Sequence, residues 1–201
     1  MFKVALYLLI AVILAIFLLP FFYTVSPYQL DSSKILQAPS LEHLFGPDRL
    51  GRDMLARILE GGQTSLIIGF LAASISSIVG LFIGINAGYF KGNIDKSITI
   101  TIDLFLTFPT FFLLLALVSY IQASAVILII VISITGWMGM ARMIRSESFA
   151  IGNKPFIKIL KVANVSTFKI IFKYFTPLLA PIFLISFTFG VGGSILAESG
   201  L

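Results

Sequence analysis

The chain has 201 residues, 58% of them hydrophobic and only 11% charged, with a mean hydropathy of +1.05. A water-soluble domain is about half apolar and about a quarter charged, so an ordinary soluble globule is excluded and the bilayer is the solvent to reason with. Fourteen Lys and Arg stand against nine Asp and Glu, there is no Cys, and His43 is the single histidine, which excludes a disulfide framework, a thiolate metal site and a cysteine nucleophile and argues against a histidine-rich metal cluster.

A bilayer core is crossed by about 20 apolar helical residues, so spans are read from uncharged runs. The first runs from Val4 to Phe22, after Lys3, and closes around Pro20. A secretory leader would have about 7 to 15 apolar residues and then a small-x-small cleavage site. Phe21 to Pro27 offers no such site, so a retained helix is expected. The segment that follows, about Tyr23 to Gly62, is mixed in charge. Within Leu50 to Leu59, the residues Met54, Leu55, Ile58 and Leu59 share a helical face. This predicts a short amphipathic helix against the membrane or a partner, or a lead-in that orients the second span. Gly51, Arg52, Asp53 and Arg57 belong to this outer motif, and Arg52 and Asp53 are expected to make local hydrogen bonds and ion pairs rather than perform acid–base catalysis.

The uncharged run from Gly61 to Phe90 holds a second span near Ser65 to Tyr89. Gly69, Gly80, Gly84 and Gly88, mostly four apart, predict a face on which another helix packs closely, in preference to a pore lining. From Leu104 to Ala141 there is no charge for 38 residues, far too long for one span at about 1.5 Å per residue. A hairpin is expected, broken at Gln122, Ala123 and Ser124, with a third span near Ile98 to Ile121 and a fourth near Ala125 to Met143. Asp103 falls in the first turns of the third span, tolerable near the interface or beside a partner, and Pro109 predicts a kink. The fifth run, Phe175 to Ala197, has Pro177 and Pro181 near its start and Gly190, Gly192 and Gly193 near its end.

Alternating sides places Lys3, Lys91, Lys96, Arg142, Arg145, Lys154, Lys158, Lys161, Lys169 and Lys173 together, against Lys34, Arg49, Arg52 and Arg57 on the other side. The positive-inside rule then puts the first set, and the N-terminus, in the cytoplasm. The net positive charge follows from topology, and nucleic acid is dropped as a partner.

The inner segment from Arg142 to Tyr174 has a pattern of its own. Phe156, Ile159, Leu160 and Ala163 recur at i, i+3, i+4, i+7, with Lys154, Lys158 and Lys161 on the opposite face. Pro155 suits a first helical turn, Asn164 can adopt the left-handed C-terminal conformation, and Ser166 can cap a second helix. Such a helix, tight turn and helix reads either as an anchor on anionic lipid or as an element whose apolar face fits a groove of another protein. The break favours docking, since a simple surface anchor needs no turn.

Five stretches occur in order: Phe45 to Arg57 with Gly61 to Leu66, Gly88 to Asp95, Asp103 to Pro109, Gly136 to Arg145, and Ile195 to Leu201. On these the chain resembles the second permease subunit of the dipeptide, oligopeptide and nickel class of binding-protein-dependent ABC importers. The resemblance implies an all-α, polytopic transmembrane helix bundle of the type I ABC importer permease kind. Five spans are visible, and the resemblance implies a sixth beyond Leu201, so a C-terminal truncation is expected. It also implies two parts: residues 1–62, an N-terminal transmembrane helix and outer segment, and residues 63–201, a permease core with a cytoplasmic coupling loop near 146–176.

The implied function is half of a translocation pathway for short peptides or chelated metal such as nickel, in the inner (cytoplasmic) membrane. The implied partners are a homologous permease subunit, two cytoplasmic ABC ATPases and an extracytoplasmic substrate-binding protein. No cofactor is implied, and ATP hydrolysis belongs to partners, since the chain has no G-x-x-x-x-G-K-[ST] loop. The resemblance assigns ATPase coupling to Phe156, Lys158, Ile159, Leu160, Ala163 and Asn164. Where the family carries Glu-Ala-Ala followed by Gly, this chain reads Lys158, Ile159, Leu160 and then Asn164. Asn for Gly is physically mild, whereas Lys for Glu reverses a charge. A bulky polar residue at Leu160 is expected to uncouple transport and spare membrane insertion. The rival readings are a degenerate permease with a structural role and a self-contained secondary transporter or channel. The latter usually carries functional charges at mid-membrane depth, where only Asp103 comes close.

Overall fold

A computed structural model describes residues 2–107, 112, 114–116, 119 and 124–200 of the chain. Four helical stretches among them are long and apolar enough to cross a membrane: Lys3–Phe21, Met54–Phe90, Ala125–Gly152 and Thr167–Ser199. The third expected span is described as far as Thr107 and at a few positions beyond. Pro109, Ile121, Gln122 and Ala123 lie outside the described residues. The chain divides into two compact units, Met1–Ile67 and Ile68–Leu201.

In the first unit, α1 (Phe2–Leu18) tightens into a 3-10 turn at Leu19–Phe21, with Pro20 at its start, where a missing N–H costs nothing. The outer segment then leads to α2 (Met54–Phe90). Gln63 donates its side-chain amide to the Ile16 carbonyl at 3.0 Å, and Gly62 leaves room for the Ile16 side chain.

Of the two readings of Leu50 to Leu59, the separate amphipathic helix is not present, and the stretch leads directly into the second span. Leu50 to Asp53 form a turn, and from Met54 the chain is one helix of 37 residues, about 55 Å at 1.5 Å per residue against a hydrocarbon core of about 30 Å. No proline interrupts it, and Gly62 sits against the Ile16 side chain. The expected apolar face is also split. Leu55 and Leu59 are buried together with Ala56, while Met54 and Ile58 are exposed.

The second unit is built on a seam between α2 and α4 (Ala125–Gly152). Gly80, Gly84 and Gly88 meet Met140, Ala141 with Ile144, and Arg145 with Ser148 respectively, so the glycine row is a packing face. Ser124 caps α4, its hydroxyl accepting from the Ile127 N–H at 3.3 Å. The inner segment, expected to leave the span at Arg142, instead continues helically to Gly152. Arg145 explains the continuation: its guanidinium pairs in fork geometry with Asp95 of α3 (Gly92–Thr107), Nη2 reaching Oδ2 at 2.8 Å. Asp103 of α3 is likewise not alone, because Arg142 donates to it.

After Gly152 come two short helices, α5 (Pro155–Val162) and α6 (Thr167–Ile170), a π-helical turn at Ile171–Phe175, and α7 (Thr176–Ser199). Pro177 and Pro181 lack the N–H that would return to the carbonyls four residues earlier, and the widened turn precedes them. The principal core gathers Ile85 and Tyr89 of α2, Met140, Ile144 and Ile151 of α4, Ile157 of α5, Ile170 of α6, Phe175, and Leu179 of α7. The Tyr89 and Phe175 rings meet edge to face at 5.4 Å.

Candidate functional site

The inner element is fixed at both ends by backbone chemistry. Asn153 closes α4, and its Oδ1 accepts from Lys91 Nζ at 2.6 Å, the same ammonium lying 4.2 Å from the centre of the Phe149 ring. Lys154 stands extended at the N-cap of α5, and Pro155 opens the helix with its preset φ. At the far end Asn164 has φ +54°. The Val165 N–H bonds to the Leu160 carbonyl and the Asn164 N–H to the Lys161 carbonyl, both at 3.1 Å, which is the Schellman closure. Ser166 occupies the N-cap position of α6, but its side chain makes no capping bond.

Which face of α5 is buried differs from the sequence expectation. Ile157 is fully buried, and Leu160 and Val165 pack against the core beside it. Lys161, placed by pattern on the polar face, folds over the Tyr89 ring at 4.2 Å, and the Tyr89 hydroxyl reaches Thr167 Oγ1 at 3.4 Å. Ile159 is 67% exposed and Val162 85%, with Ala163, Lys154 and Lys158 also exposed and Phe156 at 39%. Phe168 of α6 is also 71% exposed, its ring tilted against Phe172 at 4.3 Å between centroids. Thus Leu160 belongs to the anchor, and Phe156, Ile159 and Ala163 belong to the free face. Sequence reasoning missed Ile157, Val162 and Phe168. An i, i+3 pair of Ile157 and Leu160 was the available signal for the anchor.

The outer motif is organised by two carboxylates. Asp48 accepts from the N–H groups of Leu50 (2.8 Å) and Arg52 (3.0 Å), from Arg52 Nε and Nη2, and from Arg57 Nη1 at 2.6 Å. Partial desolvation opposes ionisation here, yet the Arg52 and Leu50 N–H groups and the Arg52 guanidinium outweigh it and hold the carboxyl well below the usual range. Gly51, at φ +75°, closes the turn, and a Cβ there would lie 1.9 Å from the Asp31 carbonyl oxygen, so only glycine fits. Asp53 is buried and caps α2 through the Ala56 N–H at 2.7 Å. Its other oxygen accepts from the Tyr23 hydroxyl at 2.8 Å and meets His43 Nδ1 at 2.9 Å, while His43 Nε2 lies 3.1 Å from Lys34 Nζ. An ammonium has no lone pair, so Nε2 accepts from Lys34 and Nδ1–H donates to Asp53. Burial opposes the Asp53 charge, but Ala56, His43 and Tyr23 prevail and lower its pKa, while burial and Asp53 push the Tyr23 hydroxyl up to about 12.

Both carboxylates are therefore held below their unfolded value of about 4. The stability they contribute is present above that pH and is lost as pH falls through their folded values. Amide protection factors at Leu50, Arg52 and Ala56 are expected to fall on acidification below about pH 4, and Asp48→Asn should flatten the response at Leu50 and Arg52 while sparing Ala56. Hydrogen exchange across that range checks it, and unchanged protection would show that these carboxylates do not hold the turn.

Within the second unit a cavity of about 600 Å³ is lined by Ser76, Ser77, Thr135, Gly136, Gly190 and Ser194 among others. Ser76 and Thr135 donate to backbone carbonyls of their own helices. Among the described residues no group of three or more His, Cys, Asp or Glu is placed to hold a metal ion.

Residues 79–201 match the family described as binding-protein-dependent transport system inner membrane component. The oligopeptide transport system permease protein OppC of Mycobacterium tuberculosis is 34% identical over 186 residues, covering 92% of this chain and 62% of that protein, and the Mycobacterium bovis protein of the same name gives the same figures. OppC of Haemophilus influenzae is 31% identical over 199 residues, 98% of this chain and 64% of the relative. The chain thus spans less than two thirds of the length of these curated relatives.

Proposed function

The chain belongs to the family of binding-protein-dependent transport system inner membrane components, and on that premise we propose that it is a permease subunit of an ATP-driven importer of short peptides. The relatives named as oligopeptide permeases support the substrate class. A homologous permease completes the pathway, two cytoplasmic ATPases drive it, and an extracytoplasmic binding protein delivers the cargo. The N-terminus and the segment from Asn153 to Ser166 lie in the cytoplasm, as the charge bias requires. Residues 1–62 supply an anchoring helix and an outer segment braced through Gly51, Arg52, Asp53 and Arg57, and residues 63–201 supply the permease core.

The observation that carries this reading is the two-sided build of α5. Its underside, Ile157 and Leu160, is locked into the same core as Ile144 and Ile151 of α4 and Leu179 of α7. Its outer side leaves Ile159, Val162 and Ala163, with Phe156 at the edge, uncovered. A partner that grips the outer side therefore moves the ends of the spanning helices. Phe156, Ile159 and Ala163 meet the ATPase, Lys158 stands at the rim of the contact, Leu160 joins the anchor, and Asn164 sets the turn.

In the assembled transporter, Ile159→Asp is expected to lower ATP-driven uptake of a labelled tripeptide at least about tenfold, the loss of about 1.4 kcal/mol or more that a central interface residue carries. The amount of inserted protein should not change, because Ile159 is two-thirds exposed and belongs to no core cluster among the described residues. Uptake at the wild-type rate would remove α5 from the coupling route.

A further inference from the structure

Resting on the docking role just proposed, we infer that the ATPase surface receiving α5 is acidic at its rim and sets a carboxylate against Lys158. Between Glu147 and Glu198 the sequence contains no acidic residue, while it carries Lys154, Lys158, Lys161, Lys169 and Lys173. Four of the nearby cations are engaged within the chain, Arg142 with Asp103, Arg145 with Asp95, Lys91 with Asn153 and Phe149, and Lys161 with the Tyr89 ring, whereas Lys154 is in no ion pair among the described residues. Among the described residues Lys158 takes part in no ion pair.

Lys158 adjoins Ile159 in sequence and lies one turn before Val162 on the helix surface. A partner that covers those two side chains brings its own rim against the partly hydrated ammonium, where an opposite charge is favoured and a like charge is repelled. Anionic lipid could supply such charge, but the geometry turns this face the wrong way. The underside of α5 packs on the ends of α2, α4 and α7 through Ile85, Tyr89, Ile151 and Leu179, so Ile159 and Val162 point away from the bundle that lies in the bilayer.

The test uses the full chain in complex with the ATPase subunits that copurify with it from its own membranes. ATPase affinity is measured for the wild type, Lys158→Met, Lys158→Glu and Ile159→Asp in neutral-lipid nanodiscs, at about 50 and about 300 mM salt, which shortens the screening length about 2.5-fold. Lys158→Glu is expected to weaken ATPase binding at least about tenfold at low salt, with Lys158→Met between it and the wild type and less sensitive to salt. If Ile159→Asp abolishes binding while Lys158→Glu binds as the wild type does, the acidic rim is overturned and the docking role stands. If neither variant changes affinity, the docking role itself falls. If Lys158→Glu acts only when phosphatidylglycerol is present in the nanodisc, the charge serves lipid and the inference is overturned.

Discussion

Gly84→Leu is expected to break the seam between α2 and α4 and to leave little folded protein after detergent extraction. A Cβ at Gly84 would lie 2.7 Å from the Ala141 carbonyl oxygen, 2.8 Å from Ile144 Cβ and 2.9 Å from the Arg145 nitrogen. Two of these three atoms are backbone, so no rotamer change relieves the contact and the helices themselves must separate. Gly80 and Gly88, one turn to either side, are equally crowded, at 2.8 Å from the Trp137 and Arg145 carbonyl oxygens. Separation at Gly84 therefore strains the whole row. Between helices in lipid there is little hydrophobic force to recover, and close packing is itself the attraction. Overpacking a core costs about 1–3 kcal/mol where the surroundings can yield. Here they cannot yield locally, and a loss above about 3 kcal/mol is expected. Gly61→Ala is the control: nothing lies within 4 Å of its Cβ position, and helix propensity favours Ala by up to about 1 kcal/mol. Thermal melting of the two purified variants decides the matter, and a Gly84→Leu protein that melts like the wild type would show that the seam does not hold the bundle.

The seam matters beyond stability because it fixes α4, and α4 supplies Ile144 and Ile151 to the core that holds α5. The structure thus links a glycine row within the bundle to the position of a helix at its end. Much of this was legible in the sequence where the cause is local. Glycines four apart mark one helix face whatever surrounds them, so Gly80, Gly84 and Gly88 could be read as a packing row. Asn164 could be read as a left-handed terminator because its tolerance of positive φ is a property of the residue.

The face of α5 was not legible, for a reason of the same kind. In eight residues the helix carries Phe156, Ile157, Ile159, Leu160 and Val162, so apolar groups cover more than half of its circumference and two different stripes satisfy the helical period. What selects Ile157 is the core cluster it joins, which includes Ile85 and Tyr89 from α2, a helix far away in sequence. The outer network was hidden likewise: Tyr23 reaches Asp53 across 30 residues and His43 across ten. The length of α2 escaped because the charged residues Arg57 and Glu60 suggested a boundary, and a charge at a helix surface does not end a helix.

On the proposed ATPase-docking role of α5, Ile157→Ala is the change expected to separate ATP hydrolysis from transport. The side chain is fully buried, and truncating a buried Ile to Ala costs about 2–5 kcal/mol, according to how far the site can collapse. The loss falls on the contact between α5 and the ends of α4 and α7, while the outer face with Ile159 and Val162 keeps its chemistry. The ATPase should still dock and cycle, but its motion reaches the spanning helices through a cavity instead of a packed side chain. In proteoliposomes with the complete transporter, the ratio of ATP hydrolysed to peptide imported is expected to rise severalfold, with ATPase activity itself near the wild-type level. Ile157→Val, which removes one methyl at about 0.5–1.5 kcal/mol, should give a smaller rise. Ile159→Asp gives the opposite signature, a fall in ATPase stimulation together with uptake, because it removes the grip and leaves the linkage. If Ile157→Ala imports peptide at the wild-type ratio, force passes from α5 to the bundle through Leu160 and the Lys161–Tyr89 contact instead, and Ile157 serves only to hold the fold.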